Sequence, residues 1–161
     1  MRREGLYALT YDYDCDDVGL VPDDGREWAA ISGGGAFPDM AGPMFVTYDA
    51  LDASEPARFG LRILDRHCNA VGVVHGGMLA TFADTALAQG LLSIGDIAFN
   101  CPTINLSVDY LGPAARGDWL ESRVVVSHRT RRMAFMSATI VSGAVPVLRA
   151  NGLFKFSPRQ D

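Results

Sequence analysis

The sequence contains a single lysine, Lys155, and fewer basic than acidic residues. Its 161 residues include 14 Lys or Arg and 19 Asp or Glu, which gives a formal net charge of -5 at pH 7. Proteins that bind nucleic acid need a basic surface to face the phosphates. The composition therefore excludes nucleic acid as the main partner.

Cysteine is also scarce, since the chain has only Cys15, Cys68 and Cys101 and no C-x-x-C pair. An odd number of cysteines without metal-binding spacing predicts free thiols in a reducing compartment. The first residues, MRREGLYALTYDYD, lack the apolar run of a secretory signal. We therefore expect a cytoplasmic protein.

Several signatures of other protein classes are missing. The sequence has no G-K-[ST] phosphate loop and no G-x-S-x-G nucleophile motif, which argues against nucleotide-binding proteins and α/β-hydrolases. The most apolar stretch, from Gly76 to Gly95, contains Asp84 and many small side chains. A charged residue in the middle of a membrane-spanning helix is costly, so the stretch indicates a helix buried within the protein. We therefore expect no membrane partner.

The predicted elements follow the order β-β-α-β-β-β-β. Short links between the last four strands predict antiparallel neighbours, and a helix that is apolar on nearly all sides must be enclosed. We therefore predict an α+β fold in which one curved antiparallel sheet wraps around one long central helix. We divide the chain into an N-terminal arm, 1–36, that is a short helix or irregular, and one domain, 37–161. The predicted strands cover 43–50, 58–64, 103–111, 119–127, 133–141 and 147–156, and the helix runs from Gly76 to about Leu92.

The turn His75-Gly76-Gly77 stands where the helix begins. The first N–H groups of a helix have no internal partner, and the helix dipole makes this end positive. Glycine has no side chain to keep a ligand away, so the turn can hold a carbonyl oxygen that becomes negative during a reaction. Close packing or a tight turn explains the glycines equally well.

Asp84 is the only charged residue of the apolar stretch. Its helical neighbours, Ala80, Thr81, Leu87 and Ala88, offer it no ion pair, and a buried Asp without a partner is rare. This favours a role as a general base. A hydrogen bond to the backbone or a contact across a subunit interface is the structural alternative.

Gly76 and Asp84 are eight residues apart in the sequence, which is about 12 Å along a helix. Catalytic contacts need about 3 Å, so both groups of a single chain cannot touch one carbonyl. If they act together, they come from two chains. A twofold dimer with antiparallel helices would then have two equivalent sites.

The segment NAVGVVHGGMLATFAD, residues 69–84, resembles hotdog-fold acyl-CoA thioesterases of the phenylacetyl-CoA and 4-hydroxybenzoyl-CoA type. The later strand PTINLSVDYLGPA is also similar to the family, and the resemblance covers about residues 43–157. It implies hydrolysis of an acyl-CoA thioester to a carboxylic acid and free coenzyme A, without a metal or another cofactor. It also implies a homodimer with sites at the interface, and relatives commonly pair such dimers into tetramers.

The resemblance implies a role for each residue of the motif. Asp84 would be the nucleophile or general base, and the Gly76 N–H would polarise the thioester carbonyl. Asn69 would orient the carbonyl or the attacking water, and Thr103 would position that water. His75 would shape the turn and touch the substrate, as would Gly77 beside it.

Arg129, Arg131 and Arg132 lie in a predicted turn next to His128. Arginine forks suit phosphate oxygens, so the cluster is a candidate contact for coenzyme A, and a solvated hairpin turn is the alternative. We interpret Tyr110 as a packing residue.

Two other functions remain open on the same fold. One is a non-catalytic acyl-CoA-binding domain. The other is a hydratase or dehydratase in which His75 and Asp84 meet across a dimer.

Overall fold

The computed structural model describes residues 19–31, 35–48, 56–95, 97–98 and 100–157. The first half of the predicted arm, with Cys15, lies outside the described residues. Two α-helices and seven strands are present in the described part. The helices are Ala36–Ala41 (α1) and Gly76–Ser93 (α2), and the strands are Ala29–Ala30 (β1), Met44–Thr47 (β2), Arg58–Arg62 (β3), Thr103–Tyr110 (β4), Trp119–Arg129 (β5), Met133–Ser142 (β6) and Val145–Lys155 (β7).

The strands form one antiparallel sheet in the order β1-β2-β3-β5-β6-β7-β4. The chain leaves β3, passes through α2 and returns as β4 at the far edge, where β7 is its one partner among the described strands. The strands β5, β6 and β7 form consecutive hairpins, as their short links predict. The same prediction is wrong for β4 and β5, because residues 111–118 carry the chain from the sheet edge beside β7 to a position beside β3. The predicted α+β architecture, with one long helix against one antiparallel sheet, is confirmed.

Helix α2 packs across one face of the sheet against β3 to β7. The side chains of Leu79, Phe82, Leu87 and Leu91 are buried there. At Gly90 the helix comes so close to β5 that an added Cβ would lie 2.8 Å from the Val124 side chain. The other side of the helix, which includes Asp84, is only half-buried in the single chain.

The opposite face of the sheet is partly covered by residues of the predicted arm. The indole of Trp28 meets that of Trp119 edge to face, with ring centroids 5.0 Å apart. Arg26 forms an ion pair with Glu121 at 2.6 Å, and Arg58 pairs with the same carboxylate at 3.0 Å. These contacts hold the described part of the arm against β3 and β5, and the predicted domain boundary at residues 36 and 37 stays a prediction.

Within the described ranges, no helix is long and apolar enough to cross a membrane. The same residues contain no group of three or more His, Cys, Asp or Glu side chains placed to hold a metal ion. The cytoplasmic location stays a prediction.

Candidate active site

Asp84 and Thr103 meet between the middle of α2 and the first residue of β4. The Thr103 hydroxyl donates a hydrogen bond to Oδ1 of Asp84 at 2.8 Å. Thr103 begins an exposed edge strand, while Asp84 is half-buried on the helix. The bond fixes one carboxylate oxygen, so the second oxygen, Oδ2, is the one that can face a reacting group.

The turn before α2 is organised by His75, which is the N-cap of the helix. Its Nδ1 accepts a hydrogen bond from the Gly77 N–H at 2.9 Å, and its carbonyl accepts from Met78 and Leu79. Among the hydrogen bonds of the described residues, none engages the N–H of Gly76. Gly76 therefore carries the free donor at the positive end of the helix.

This arrangement separates the roles of the two glycines. The Gly77 N–H is already bonded to His75, so it does not offer a donor to a substrate. A Cβ at Gly77 would lie 3.0 Å from the His75 ring, which shows how closely the cap folds over this residue. Since Nδ1 of His75 is an acceptor, the proton of its neutral ring lies on Nε2.

Tyr110, the last residue of β4, also holds the start of the helix. Its hydroxyl donates to the Gly76 carbonyl at 3.0 Å, and a Cβ at Gly76 would lie 3.3 Å from the tyrosine ring. The alternation of β4 places Tyr110 on the helix side together with Leu106 and Val108. Sequence reasoning assigned it to packing and missed the hydroxyl contact, because alternation reports the face of a strand and not the partner of its last side chain.

Asn69 sits in the loop that leads to His75. Its Oδ1 accepts from the backbone N–H groups of Val71 at 3.0 Å and Val73 at 3.4 Å. Gly72, at φ 80°, closes the same turn through a bond from its N–H to the Asn69 carbonyl. Because the side-chain oxygen is engaged within the loop, the Asn69 NH₂ group is the part that can donate to a bound carbonyl.

The predicted site residues thus form two groups in a single chain. Asp84 and Thr103 make one group, while Asn69, His75 and Gly76 make the other. The two groups are separated by about 12 Å of helix, so the structure of one chain does not bring them to a common point.

A pocket opens beside Asp84, between α1, β2 and α2. Its volume is about 170 Å³, and its apolar walls include Ile31, Pro38, Pro43 and Met44. This pocket could not be predicted from the sequence, because α1 is too short to produce a periodic pattern.

The arginine cluster lies at the end of the sheet where β4 begins. Arg129 pairs with Ala134 of β6, which pairs with Phe154 of β7, which pairs with Thr103. Three strand spacings therefore separate Arg129 from Thr103, or about 14 Å. The Arg129 guanidinium lies over the Phe156 ring at 5.1 Å, and Arg131 and Arg132 are exposed in the turn.

His67, Cys68 and Cys101, which lie outside this motif, have surroundings that indicate a structural role. His67 is 2% exposed, and its Nδ1 accepts from the Leu64 N–H at 3.1 Å. Burial raises the pKa of the Cys68 thiol, as does the nearby Asp65 charge. Burial, followed by the charge of Asp84, also raises the pKa of Cys101. Since the thiolate is the reactive form of cysteine, neither residue is prepared to act as a nucleophile.

Comparison with known proteins agrees with this fold. Residues 71–147 match the family model of the thioesterase superfamily. The "Putative esterase PA0474" of Pseudomonas aeruginosa is 38% identical over 72% of this chain and 84% of its own length. Human acyl-coenzyme A thioesterase 13 is 27% identical over 57% of this chain and 65% of its own length.

A solved structure has the same architecture. The crystal structure of a hypothetical thioesterase with coenzyme A from Streptococcus pneumoniae superposes with a TM-score of 0.64, at 18% identity over 73% of this chain and 88% of that one. The likeness to this structure shows the fold, and the match to the family and to the Pseudomonas relative shows the lineage. The chain belongs to the hotdog-fold thioesterase superfamily and is a thioester hydrolase.

Proposed function

We propose that the protein hydrolyses acyl-CoA thioesters, with Asp84 as the nucleophile or general base and the Gly76 N–H as the oxyanion donor. The observation that carries this proposal is the hydrogen bond from Thr103 to Asp84, which orients a carboxylate in the middle of an otherwise apolar helix. The names of relatives agree, since the human protein is an acyl-CoA thioesterase and the Streptococcus structure contains coenzyme A.

The two groups of residues come together when two chains pair through β4. This strand is the sheet edge, and its apolar side chains Ile104 and Tyr110 are 54% and 55% exposed in the single chain. An exposed edge of this kind is a template for pairing with a second strand. The predicted homodimer thus has a structural basis in β4, and pairing of dimers into a tetramer stays a prediction.

The contacts at the two ends of β4 favour this arrangement. Thr103, at one end, holds Asp84, and Tyr110, at the other end, holds Gly76. Antiparallel pairing about a twofold axis through Ser107, with the bulge between Thr103 and Asn105, sets Thr103 opposite the partner subunit's Tyr110. Asp84 of one chain then approaches Gly76 of the partner subunit, and the same happens at the second site.

The reaction needs no group beyond these side chains and water. Either the Asp84 carboxylate attacks the thioester carbonyl and forms an anhydride that water opens, or it removes a proton from a water that attacks. In both routes the carbonyl oxygen becomes negative, and the Gly76 N–H and the Asn69 NH₂ group donate to it. The carbon–sulfur bond breaks, the coenzyme A thiolate takes a proton, and the carboxylic acid is released.

Thr103 and His75 have supporting roles in this proposal. The Thr103 hydroxyl donates a hydrogen bond to Asp84, and its oxygen can accept a hydrogen bond from the attacking water. His75 keeps Gly76 in place through the cap and borders the substrate together with Gly77. Because His75 Nδ1 is engaged by the Gly77 N–H, it is not available as the base that a hydratase would need.

The exposed arginines are the proposed contact for coenzyme A phosphates. Arg129, Arg131 and Arg132 cluster at the same end of the sheet as Thr103, with Arg129 about 14 Å from it across three strand spacings. Guanidinium groups form forked hydrogen bonds with phosphate oxygens. Coenzyme A is long enough to reach from the catalytic carboxylate to such a surface turn.

Release of free thiol from a panel of aromatic and aliphatic acyl-CoAs tests the proposal. Asp84→Ala should lower kcat by about a hundredfold or more, whereas Asp23→Asn, in an exposed part of the arm, should leave it unchanged. Both variants must match the wild type in unfolding temperature and in oligomeric state. Binding of acyl-CoA without turnover by the wild type would instead indicate a binding domain.

A further inference from the structure

Residues 24–31, which we call the strap, run from the face of the sheet opposite α2 to the pocket beside Asp84. At one end, Arg26 and Trp28 lie against β5. At the other end, Ile31 forms part of the pocket wall. The inference that follows rests on the proposed function, because it takes this pocket to hold part of the thioester substrate.

The two ends of the strap are linked by the alternation of β1. Ala30 pairs with Phe45, whose ring contacts Trp119 on the face opposite α2. Successive side chains of a strand point to opposite faces, so Trp28 shares the face of Ala30 while Ile31 lies on the helix side. A shift of β1 by one residue would exchange these faces and withdraw Ile31 from the pocket.

The strand β1 does not determine its own register. It consists of Ala29 and Ala30, both exposed, and it pairs with β2 at the edge of the sheet. Backbone hydrogen bonds can form again after a slip, so the register is fixed by side chains that fit in one place only. Two alanines contribute little to this, and the residues on either side of β1 therefore fix the register.

Trp28 and Arg26 make contacts that depend closely on position. The indole of Trp28 meets that of Trp119 edge to face, with ring centroids 5.0 Å apart, and such pairs have a preferred geometry. The Arg26 guanidinium lies 4.8 Å from the centre of the Trp28 ring and donates to Glu121 at 2.6 Å. Trp119 and Glu121 belong to β5, an interior strand of the sheet, which gives the strap a fixed point of attachment.

We propose that Trp28 and Arg26 are positioning residues, which hold β1 in register from the far face of the sheet and so keep Ile31 in the wall of the pocket. They touch no substrate and act through Ile31. Releasing the strap should therefore weaken substrate binding as shortening Ile31 does, while the groups that carry out the chemistry stay in place.

Steady-state kinetics with a thioester that the wild type hydrolyses tests the proposal. Trp28→Leu should raise KM about three- to tenfold and leave kcat within about twofold, because an aromatic pair is lost and the catalytic groups are not touched. Trp28→Phe keeps an aromatic ring and should restore KM to within about twofold of the wild type. Arg26→Gln should raise KM as Trp28→Leu does. Phe135→Leu shortens an exposed aromatic residue of β6, near the other end of β5, and should change neither constant.

A double-mutant cycle shows whether Trp28 acts through Ile31. Ile31→Ala alone should raise KM about tenfold, because most of a half-buried apolar side chain leaves the wall. In that background Trp28→Leu should add less than about twofold. An unchanged KM in Trp28→Leu would overturn the proposal. So would full multiplication of the two effects, because Trp28 would then affect binding by another route.

Hydrogen exchange separates this proposal from the proposed function, because it needs no turnover. The Ile31 N–H donates to the Met44 carbonyl at 2.8 Å, so it should be protected in the wild type. In Trp28→Leu it should exchange about tenfold faster or more, while the amides of β6 keep their rates. Equal exchange of Ile31 in the two proteins would overturn the proposal.

If the wild type turns over no thioester, the proposed function fails and the proposal is decided by binding. The thioether hexyl-CoA contains no carbonyl to hydrolyse, and its Kd then replaces KM. A Kd raised about three- to tenfold in Trp28→Leu, together with faster exchange at Ile31, supports the role of the strap, and an unchanged Kd contradicts it.

Discussion

The Tyr110 hydroxyl, at the end of β4, donates a hydrogen bond of 3.0 Å to the carbonyl of Gly76, at the start of α2. This bond connects the start of α2, where the Gly76 N–H is free, to the strand at the edge of the sheet. At the other end of the same strand, Thr103 holds Asp84. One edge strand therefore positions both of the groups to which we assign the chemistry.

Removing only the Tyr110 hydroxyl should weaken catalysis without disturbing the fold. In Tyr110→Phe the ring still packs against Gly76, but the peptide that carries the proposed oxyanion donor loses one anchor. We expect kcat to fall by about two- to tenfold, the value of one neutral hydrogen bond, with KM little changed. Steady-state kinetics of this variant beside Tyr48→Phe, at an exposed position, provides the comparison. A change in KM alone would assign Tyr110 to substrate binding.

The Thr103 hydroxyl should matter more, because its partner is a carboxylate. Thr103→Val keeps the shape of the side chain and removes the donor, so we expect kcat to fall by about 10- to 100-fold. Thr103→Ser keeps the hydroxyl and should retain activity within a few-fold of the wild type. Full activity in Thr103→Val together with a loss in Thr103→Ser would mean that the methyl group, and not the hydrogen bond, is what the site needs.

His67 predicts a dependence of stability on pH. Burial, followed by the charge of Arg66, lowers the pKa of this imidazole in the folded protein. In the unfolded chain its pKa is about 6.5. The stability that neutral His67 contributes is therefore complete when the pH lies above the pKa of the unfolded state. As the pH falls below it, the unfolded chain takes up the proton first, and stability is lost until the pH reaches the pKa of the folded state.

Urea unfolding between pH 8 and pH 5 measures this effect. The free energy of unfolding should decrease toward pH 5, and the decrease should be smaller in His67→Gln, whose side-chain oxygen can still accept from the Leu64 N–H. His128→Gln, at an exposed histidine, should keep the wild-type slope. An unchanged slope in His67→Gln would show that other groups cause the acid sensitivity.

The long periodic elements could be predicted from the sequence, and the short ones could not. The apolar run after His75-Gly76-Gly77 predicts a helix that begins at Gly76, where the structure begins α2. Alternation in β4 to β7 predicts those strands because each is long enough to show a period of two. By contrast, β1 has two residues and α1 has six, and the pocket next to Asp84 is bordered by α1 and by Ile31, which directly follows β1.

Contacts between elements that are far apart in the sequence could not be predicted either. The length of α2 shows that Gly76 and Asp84 are far apart, which predicts two separate groups. It does not show that β4 lies at an edge beside β7, or that its end residues bond to the two parts of the helix. Those facts depend on the strand order, which local patterns do not report.

The central claim is that each active site combines Asp84 of one chain with Gly76 of another, and a mixed dimer tests it. Gly76→Pro removes the N–H at the first helical position, where proline is tolerated. His75 already has φ -68° and ψ 136°, which suits a residue before proline. Gly76→Ala adds a Cβ against Tyr110 but keeps the N–H, so it is the matched control.

The decisive measurement is the thioesterase activity of a purified heterodimer that joins an Asp84→Ala chain to a Gly76→Pro chain, each carrying a different affinity tag. Each homodimer should be nearly inactive, because both of its sites lack one group. In the heterodimer one site carries both substitutions and the other carries neither, so about half of the wild-type activity should return. A heterodimer no more active than either homodimer would contradict the account and place both groups of each site in a single chain.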